Sequence, residues 1–460
     1  MTDSPRLLLI YPATHKLGWV KRFQLPSLSL NQVAASTPPE WQVTIVDEVQ
    51  ETLCYDGQYD LVGITAMTHQ ALHAYQIADR FRERGIPVVL GGIHPTVMPD
   101  EAAAHADAVV IGEAEPVWAG LLEDLLAGRM KLFYRSVPTG DRLQIPWARR
   151  EILAGRKYLT TQTLQASRGC PYDCSFCTVT PYFGNTFRYR DPEDILAELR
   201  TYRGKLTIFL DDNILGDPQK AKPILAGMVG MGLRWGGQAN LRFAEDPEMV
   251  RLLAASGCIG IFVGLESADG IHANHPKTSG RSSQADLIKR IRDTGVVVEA
   301  SVIFGFDDHD PGIFERTVRF LEKCAPSLPT LHILTPYPGT ALFKQYQQEG
   351  RMLHTDWRRY DHGQVVYRPR LMTPEQLYKG WVDARHEAYS WSAIASRVLQ
   401  SPGKTINLMY NILRRGGIYG RDQTECGFYD PSAVELTSGN AIESAGNGIK
   451  SSSAQKRALL

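Results

Sequence analysis

Three cysteines lie within one short loop, Cys170, Cys174 and Cys177, with the spacing C-x₃-C-x₂-C. Three thiolates at this spacing can reach one face of an iron–sulfur cube, and a four-iron cluster usually takes four thiolates. One iron is then left open to a ligand that does not come from the protein. Two other interpretations stay open: three buried cysteines without a metal, and a structural zinc site. The zinc site has no local fourth ligand, since no histidine lies between His105 and His272.

The segment from Ser167 to Cys177 resembles the cluster loop of the radical S-adenosylmethionine (SAM) superfamily, including the aromatic Phe176 before the last cysteine. The resemblance implies that the three cysteines bind a [4Fe-4S] cluster and that SAM chelates the open iron. It also implies that an electron from a flavodoxin-type or ferredoxin-type donor splits SAM to a 5′-deoxyadenosyl radical. The spacing carries weight because motifs further along the chain support it.

Strand-like and helical runs alternate from about residue 159 to residue 349. Six βα units predict an open, partial (β/α) barrel with its chemistry at the carboxyl ends of the strands. The predicted strands cover 159–166, 206–210, 234–239, 260–264, 296–305 and 331–335, and the predicted helices cover 194–202, 218–231, 247–256, 282–294, 311–324 and 340–349.

The ends of these predicted strands supply candidate contacts to SAM. By the resemblance, Asp211 or Asp212 meets the methionyl ammonium, although most superfamily members have Gly-Gly-Glu at this place. Arg242 can pair with the methionyl carboxylate, and an arginine on the surface is the alternative. Glu266 resembles the family's ribose contact, and the backbone of the fifth strand resembles the run that brackets adenine. The candidates are Asp211, Asp212, Gln238, Arg242, Glu266, Ser267 and Ile303, with Phe176 beside the cluster.

Residues 6–126 alternate short apolar strands with helices, which predicts a doubly wound, Rossmann-like parallel sheet of five strands. Ligands of such sheets bind at the carboxyl ends of the strands near the switch point. Gly91, Gly92 and Gly112 follow strands there and predict a close approach of the backbone to a large flat ligand. The fingerprint G-x-G-x-x-G is absent, which argues against a dinucleotide.

A sheet of this kind directly upstream of the cysteine loop resembles the cobalamin-binding domain of cobalamin-dependent radical SAM proteins. The runs at 91–96 and 112–115 match that family. The string D-x-H-x-x-G, which supplies a cobalt ligand in mutases, occurs only at 307–312 and is interpreted as coincidence. No axial histidine follows from a motif, and a packing role is the alternative for each nearby histidine. The candidates are Thr65, His69, Gly91, Gly92, His94, Thr96, Gly112 and Glu113, and a scaffold that binds nothing is the alternative for the domain.

The chain is expected to hold a cobalamin domain (1–127), a linker (128–158), the barrel (159–349), a helical substrate region (350–425) and a flexible tail (426–460). The helical region is rich in Trp and Tyr and resembles the extension found in hopanoid methylases and anaerobic porphyrin cyclases. Its aromatic residues line a substrate mouth or pack a core. Residues 407–418 are apolar with two arginines, which suggests peripheral contact with a membrane.

Charge and cysteine content exclude several classes of protein. Fifty basic and fifty acidic residues cancel, so the chain offers no field for nucleic acid. Seven cysteines, an odd set with three clustered, fit a reducing compartment and not a disulfide framework. No stretch approaches the ~18 apolar residues of a membrane span. A soluble cytoplasmic enzyme is expected.

The resemblance implies a leading hypothesis and two alternatives for function. In the first, the deoxyadenosyl radical takes a hydrogen from an unactivated carbon of a hydrophobic lipid or tetrapyrrole, and methylcobalamin supplies a methyl group. The second hypothesis keeps both cofactors and ends in cyclisation, oxidation or carbon–carbon coupling. The third is a non-catalytic cobalamin or redox sensor.

Overall fold

The computed structural model describes residues 4–13, 24–138, 140–202, 206–267, 282–401 and 404–424. Two six-stranded parallel sheets and one two-stranded sheet form the framework of the described chain. The expected flexible tail at 426–460 lies outside the described residues.

The first sheet has the strand order β2-β1-β3-β4-β5-β6, so its switch point lies between β1 and β3. Five of its strands were predicted. The sixth, β6, belongs to the segment expected to be a linker, because three residues between breaking glycines and prolines give no periodic signal. The strands are β1 (Arg6–Tyr11), β2 (Gln42–Asp47), β3 (Leu61–Thr65), β4 (Val88–Gly91), β5 (Ala108–Ile111) and β6 (Phe133–Arg135). The helices are α1 (Leu28–Ser36), α2 (Ala71–Arg82), α3 (Ile93–Val97), α4 (Pro99–Ala103) and α5 (Glu115–Leu126).

Strand β1 shows why the sequence of a central strand in this sheet is apolar without interruption. Leu7 and Leu9 pack into one hydrophobic cluster, while Leu8 and Ile10 pack into the other. Successive side chains of a strand point to opposite faces, so a strand covered on both faces must be apolar throughout.

The second sheet is the predicted partial barrel, with the strand order β14-β13-β12-β11-β10-β7. All of its neighbouring strands are parallel, so their carboxyl ends meet at one edge. Its strands are β7 (Thr163–Leu164), β10 (Leu206–Phe209), β11 (Arg234–Asn240), β12 (Cys258–Glu266), β13 (Val297–Phe304) and β14 (Leu328–Ile333). The helices are α7 (Pro192–Arg200), α8 (Pro218–Met228), α9 (Pro247–Ala255), α10 (Gln284–Asp293), α11 (Ile313–Cys324) and α12 (Ala341–Gln348). The antiparallel pair β8 (Ser167–Gly169) and β9 (Phe187–Tyr189), with α6 (Val179–Phe183), lies between β7 and α7 and was not predicted.

Three barrel helices begin with the same two residues, an aspartate followed by a proline. Asp191, Asp217 and Asp246 each accept a hydrogen bond from the backbone N–H two residues later, and each precedes a proline at the first helical position. The carboxylate satisfies a free N–H of the first turn, and proline has the φ angle that the helix needs. These pairs fix where α7, α8 and α9 start after the loops that carry the candidate site.

The helical region contains α13 (Pro374–Ala388), α14 (Trp391–Gln400) and α15 (Lys404–Thr424). Most of its aromatic side chains pack in the core, which was the alternative to a substrate mouth. Trp381 Nε1 donates to the Leu331 carbonyl at 2.9 Å, and the Tyr389 hydroxyl donates to the Pro329 carbonyl at 2.7 Å. Trp391, by contrast, is largely exposed.

The described residues include six cysteines, and none of them forms a disulfide. No helix in the described ranges is both long enough and apolar enough to span a bilayer.

Candidate active site

The three cysteines lie on the loop between β8 and α6. Cys174 is buried, and Cys170 and Cys177 are partly exposed. The Cys177 N–H donates to the Cys174 carbonyl at 3.0 Å, so the loop turns tightly here. In the described part of the chain, no three His, Cys, Asp or Glu side chains are arranged around a single metal ion. Each thiolate of a cube binds a different iron, so this loop fits a cluster without converging on one point.

Asn213, which follows β10, contacts the loop through a cysteine sulfur. Its Nδ2 donates to Cys170 Sγ at 3.8 Å, and its Oδ1 accepts from the Asn240 N–H at 3.0 Å. A donor aimed at sulfur stabilises the thiolate form that a cluster needs. Sequence reasoning noted the Asp-Asp-Asn run but gave Asn213 no role. Its only signal was a polar residue at a strand end.

Asp211 supports the cysteine loop from below. Its carboxylate accepts from the Ala166 N–H at 3.0 Å, from the Ser167 hydroxyl at 2.6 Å and from the Ser167 N–H. Burial raises the pKa of Asp211 to about 7. These bonds tie Asp211 to the segment before the cysteines, and its contact with the methionyl ammonium stays a prediction. Asp212 lines the space between the two sheets.

Glu266 ends β12 in a conformation that non-glycine residues rarely adopt, with φ at 62°. A register shift between Gly264 and Glu266 marks a bulge in the pairing with β13. A Cβ at Gly264 would lie 2.6 Å from Glu266 Oε1, so the glycine leaves room for this carboxylate. Strained backbone of this kind persists where surrounding structure fixes it, often at functional sites.

Ser267 is buried and bonded to a histidine, which changes its expected role. Gly305 N–H donates to His309 Nδ1 at 3.1 Å, so Nδ1 is the acceptor and Nε2 carries the proton. His309 Nε2 then donates to Ser267 Oγ at 3.1 Å. His309 belongs to the D-x-H-x-x-G string dismissed as coincidence. It ties the end of β12 to the loop after β13.

The remaining predicted SAM contacts lie along the same edge. Gln238 Nε2 donates to the Asp212 carbonyl at 3.0 Å, which joins the ends of β10 and β11. Arg242 lies in the short 3₁₀ helix after β11, and its N–H donates to Asn240 Oδ1. Ile303 lies in β13 beside β14, and Phe176 packs edge-on against Phe306 with ring centroids 5.6 Å apart. The edge therefore brings the predicted contacts together, while their roles toward SAM stay predictions.

A cavity of about 400 Å³ lies between the carboxyl edge of the first sheet and the residues that flank the cysteine loop. The first sheet contributes Thr65 and the three predicted glycines, and the second part of the chain contributes Gln165, Arg168, Tyr182 and Asp212. Its walls are mostly apolar, with a few polar groups at the rim, which fits a flat macrocycle.

Two of the three glycines are required by contacts within the protein, and not by a ligand. Gly92 has φ at 95°, and a Cβ there would lie 2.6 Å from Thr65 Oγ1. Gly112 has φ at 86°, and its Cβ would lie 2.9 Å from the Ser136 carbonyl oxygen. Thr96 joins them, since its hydroxyl donates to the Gly92 carbonyl and accepts from the Gly112 N–H. Only Gly91 is left with the predicted role of admitting a ligand.

Neither predicted histidine lines this cavity. His94 is fully buried, with its Nε2 3.3 Å from Glu101 Oε1 and its ring 5.3 Å from that of Trp357. His69 lies in the 3₁₀ turn between β3 and α2. The packing and hydrogen-bonding role that was the alternative for His94 is therefore the one observed.

A buried group of charges, the junction cluster, joins the two sheets. It consists of Arg168, Arg188, Glu113, Glu115 and Gln32. Arg168 donates to Glu113 at 2.9 Å, to Glu115 at 2.6 Å and to Gln32 at 3.0 Å, and Arg188 pairs with Glu113. Burial opposes the charge on Glu115, but Arg168 outweighs it and lowers the pKa of that carboxyl.

The junction cluster explains Glu113 and adds Arg168, which the sequence did not single out. Arg168 stands two residues before Cys170, so the cluster loop is bonded directly to the first sheet. Nothing local in the sequence marked it, because the short strand that buries this charge was not predicted.

Gly339 marks the point where three segments meet. It follows β14 with φ at 85°, and a Cβ there would lie 2.7 Å from Val97 Cγ1 and 3.5 Å from Pro181 Cβ. Val97 belongs to α3 of the first sheet, and Pro181 belongs to α6 after the cysteine loop. The floor of the barrel, the cysteine loop and the first sheet are thus in contact at one residue.

Comparison with known families agrees with this architecture. Residues 21–122 match the B12 binding domain, and residues 164–321 match the radical SAM superfamily. The chain is 33% identical to bacteriochlorophyllide d C-12(1)-methyltransferase of Chlorobaculum tepidum, over 83% of this chain and 86% of the relative.

Two more distant relatives cover similar shares. The hopanoid C-2 methylase of Rhodopseudomonas palustris is 28% identical over 81% of this chain and 73% of its own. The anaerobic magnesium-protoporphyrin IX monomethyl ester cyclase of Rubrivivax gelatinosus is 24% identical over 81% and 75%. The solved radical SAM methyltransferase TsrM from Kitasatospora setae, with cobalamin and a [4Fe-4S] cluster bound, shares the fold with a TM-score of 0.65 and 16% identity, over 83% of this chain and 88% of that one.

Proposed function

The chain belongs to the cobalamin-dependent radical SAM methyltransferase family, and we propose that it methylates an unactivated carbon of a hydrophobic small molecule. The observation that carries the proposal is the cavity between the two carboxyl edges, which is lined by the first sheet and by Arg168, Tyr182 and Asp212 near the cysteine loop. Two ligand-binding edges that face each other hold two cofactors within reach of one substrate.

The residues present fit the cofactors of this family. Cys170, Cys174 and Cys177 would hold the cluster, and Glu266 would hold the ribose of SAM. Gly91 and Thr65 would lie against the corrin. When bound, the cluster with SAM supplies a carbon-centred radical, and cobalamin supplies a methyl group. The chain itself positions these groups: Asp211 and Asn213 fix the cysteine loop, and the junction cluster fixes the loop against the first sheet.

The proposal is tested by removing one loop thiol. Cys174→Ala, in protein reconstituted without oxygen with iron, sulfide and cobalamin, should form no 5′-deoxyadenosine from SAM under a strong reductant. Cys324→Ala is the matched control, because Cys324 is buried in α11 away from the loop. Deoxyadenosine from Cys174→Ala at the wild-type rate would refute the site.

A second candidate function, ring closure or oxidation with the same cofactors, is favoured by the similarity to the anaerobic cyclase. The two functions differ in their products. Methyl transfer releases S-adenosylhomocysteine alongside deoxyadenosine. Each methyl group that replaces a hydrogen raises the mass of the substrate by ~14 Da. Mass spectrometry of SAM products with candidate tetrapyrroles and lipids separates them. Deoxyadenosine without S-adenosylhomocysteine would favour ring closure.

We propose two further partners, an electron donor and a membrane surface. A flavodoxin-type or ferredoxin-type protein in the cytoplasm would supply the electron, which fits described cysteines that form no disulfide. Helix α15 turns polar Asn407 and Asn411 inward, while Leu408, Met409 and Ile412 are exposed. This outward apolar face, with the exposed Lys404 beside it, would bind the surface of a membrane that contains anionic lipids.

Vesicles test the membrane contact. Met409→Glu should reduce sedimentation of the protein with anionic vesicles, because it puts a negative charge into the apolar face. Leu126→Glu on α5 is the control, since Leu126 is also exposed but lies on the first sheet's helix. Equal sedimentation of both variants and wild type would exclude α15 as the contact.

A further inference from the structure

Two histidines and a tyrosine lie together near the carboxyl end of β14, and the proposed function does not use them. The rings of His332 and His362 are 5.5 Å apart between centroids. The Tyr337 hydroxyl lies 3.1 Å from His362 Nε2. These three residues are called the imidazole cluster below.

Within the imidazole cluster, His332 faces the inside of the barrel. Leu328 lines a cavity of about 750 Å³ within the barrel, and His332 stands four residues later on the same strand. Side chains of a strand alternate between its faces, so Leu328 and His332 point to the same side. His332 is also the direct neighbour of Ile303 in the pairing of β14 with β13. Its imidazole therefore lies beside a predicted SAM contact.

The backbone at His362 is held in a rare conformation. Its φ is 65°, in the left-handed region that favours glycine. The Ile333 N–H donates to the His362 carbonyl at 2.9 Å, which fixes the loop against the end of β14. A non-glycine residue held in this way points to a function for its side chain.

Both imidazoles have a lone pair that the chain does not use. The Tyr360 carbonyl, 3.0 Å from the Tyr337 hydroxyl, can only accept, so it takes the hydroxyl proton. His362 Nε2 must then donate to the Tyr337 oxygen, which leaves Nδ1 of His362 as an acceptor. The ring of His332 has no hydrogen-bond partner among the described residues.

The surroundings keep His332 neutral. Burial, followed by His362, Arg414 and Arg385, lowers the pKa of His332 to about 3. Burial also lowers the pKa of His362, although its ring is exposed to solvent. A neutral imidazole can offer its lone pair to a metal ion and, unlike imidazolium, does not attract an anion.

We propose that the imidazole cluster binds a planar tetrapyrrole by axial coordination of the divalent metal ion that the macrocycle carries, with His332 as the ligand. The macrocycle fills the equatorial positions of the metal and leaves an axial one for a neutral nitrogen. A lipid without a metal offers His332 nothing to coordinate. This inference rests on the proposed function and narrows its substrate class from hydrophobic molecules to metallated tetrapyrroles.

Zinc protoporphyrin IX and its metal-free form test the proposal with a readout that does not depend on turnover. Each is titrated without SAM into the full chain reconstituted anaerobically with cluster and cobalamin. Axial coordination by imidazole moves the Soret band of the zinc form to longer wavelength. Wild type should show this shift with the zinc form alone. His332→Gln and His332→Ala should abolish the shift and weaken binding of the zinc form by about tenfold, while the metal-free form binds them as it binds wild type.

His73→Ala is the matched control, because His73 is a half-exposed histidine on α2 of the first sheet. It should keep the wild-type shift. A shift that survives in both His332 variants, or a wild type that binds neither porphyrin or shows no shift, would overturn the proposal. Deoxyadenosine formation is measured on the same preparations. A wild type that cleaves SAM but shows no shift refutes the metal site only, whereas a wild type that does not cleave SAM refutes the proposed function.

Discussion

The barrel is joined to its two neighbours by opposite kinds of chemistry. Toward the first sheet it uses the junction cluster, in which Arg168 is paired with two carboxylates away from water. Toward the helical region its fully buried bonds come from neutral side chains, such as Tyr389 and Trp381, that donate to strand carbonyls. The ion pairs Arg351–Asp307 and Arg414–Glu299 on this side are partly exposed to water. Buried charges tolerate only their own partners, since losing one leaves the others uncompensated. Neutral single bonds are more forgiving.

This difference indicates which contact has to be exact. The charged junction lies beside the cavity and the cysteine loop, where two cofactors must be held at a fixed distance. The neutral junction lies at β14, the edge strand of the sheet, and packs the helical region against it. The order of the expected effects below follows from this comparison.

Arg168→Ala should have the largest effect. It leaves Glu113 and Glu115 buried with their main partner gone, which costs about 3–5 kcal/mol of unfolding free energy. Cobalamin retained after gel filtration should fall together with stability in urea. Arg142→Ala is the control, since Arg142 forms an exposed pair with Asp191, and it should change stability by less than ~1 kcal/mol. Wild-type stability in Arg168→Ala would contradict the role of the junction cluster.

Asp211 should give the next largest effect, as a dependence on pH. Its pKa is about 7 in the folded chain against a model-compound value of 3.8, so the unfolded chain releases the proton first. Stability should therefore fall as pH rises from about 4 to about 7 and stay level above that, with up to about 1.4 kcal/mol lost per pH unit.

Asp211→Asn should flatten the dependence of the free energy of unfolding on pH. This is measured by urea unfolding of the cluster-free protein from pH 5 to pH 8, in steps of ~0.5 pH units. Asp141→Asn removes an exposed carboxylate and should keep the wild-type slope. An unchanged slope in Asp211→Asn would place the proton elsewhere.

Trp357→Phe should have an intermediate effect on stability, because it removes a hydrogen bond between a neutral donor and a charged acceptor. The indole donates to Glu101, which also meets His94 and links the helical region to the first sheet. Loss of this bond to a charged acceptor should cost about 1.5–3 kcal/mol in urea unfolding. Trp391→Phe, at an exposed tryptophan, should cost much less. Equal losses of unfolding free energy in the two variants would mean that the bond from Trp357 to Glu101 adds nothing to stability.

Tyr389→Phe should have the smallest effect. It removes one neutral donor to the Pro329 carbonyl and should cost about 1 kcal/mol, without loss of bound cobalamin. A loss of cobalamin as large as in Arg168→Ala would mean that the contact with the helical region fixes the cofactor site as strictly as the junction cluster does.

The elements that carry local signals could be predicted from the sequence. The cysteine loop, the six barrel strands and the apolar strands of the first sheet all follow from spacing and periodicity. Strand β6 and the pair β8–β9 were missed, because three residues are too few to show a period.

The partners of buried polar groups could not be predicted. Arg168 finds Glu113 across 55 positions, and Asp211 finds Ser167 across 44. Nothing local in the sequence says which distant group will satisfy a buried charge. The support that Asp211 gives to the loop was therefore missed, and His94 was read as facing the cofactor although it packs against Trp357.

Gly339 limits how these enzymes can be recombined. Because it touches Val97 and Pro181 with no room for a methyl group, the three segments have to be matched to one another in shape. A chimera that exchanges only residues 1–127 with those of a relative would bring a foreign α3 against this glycine. Transplanting the first domain should therefore succeed only when the turn after β14 and helix α6 travel with it.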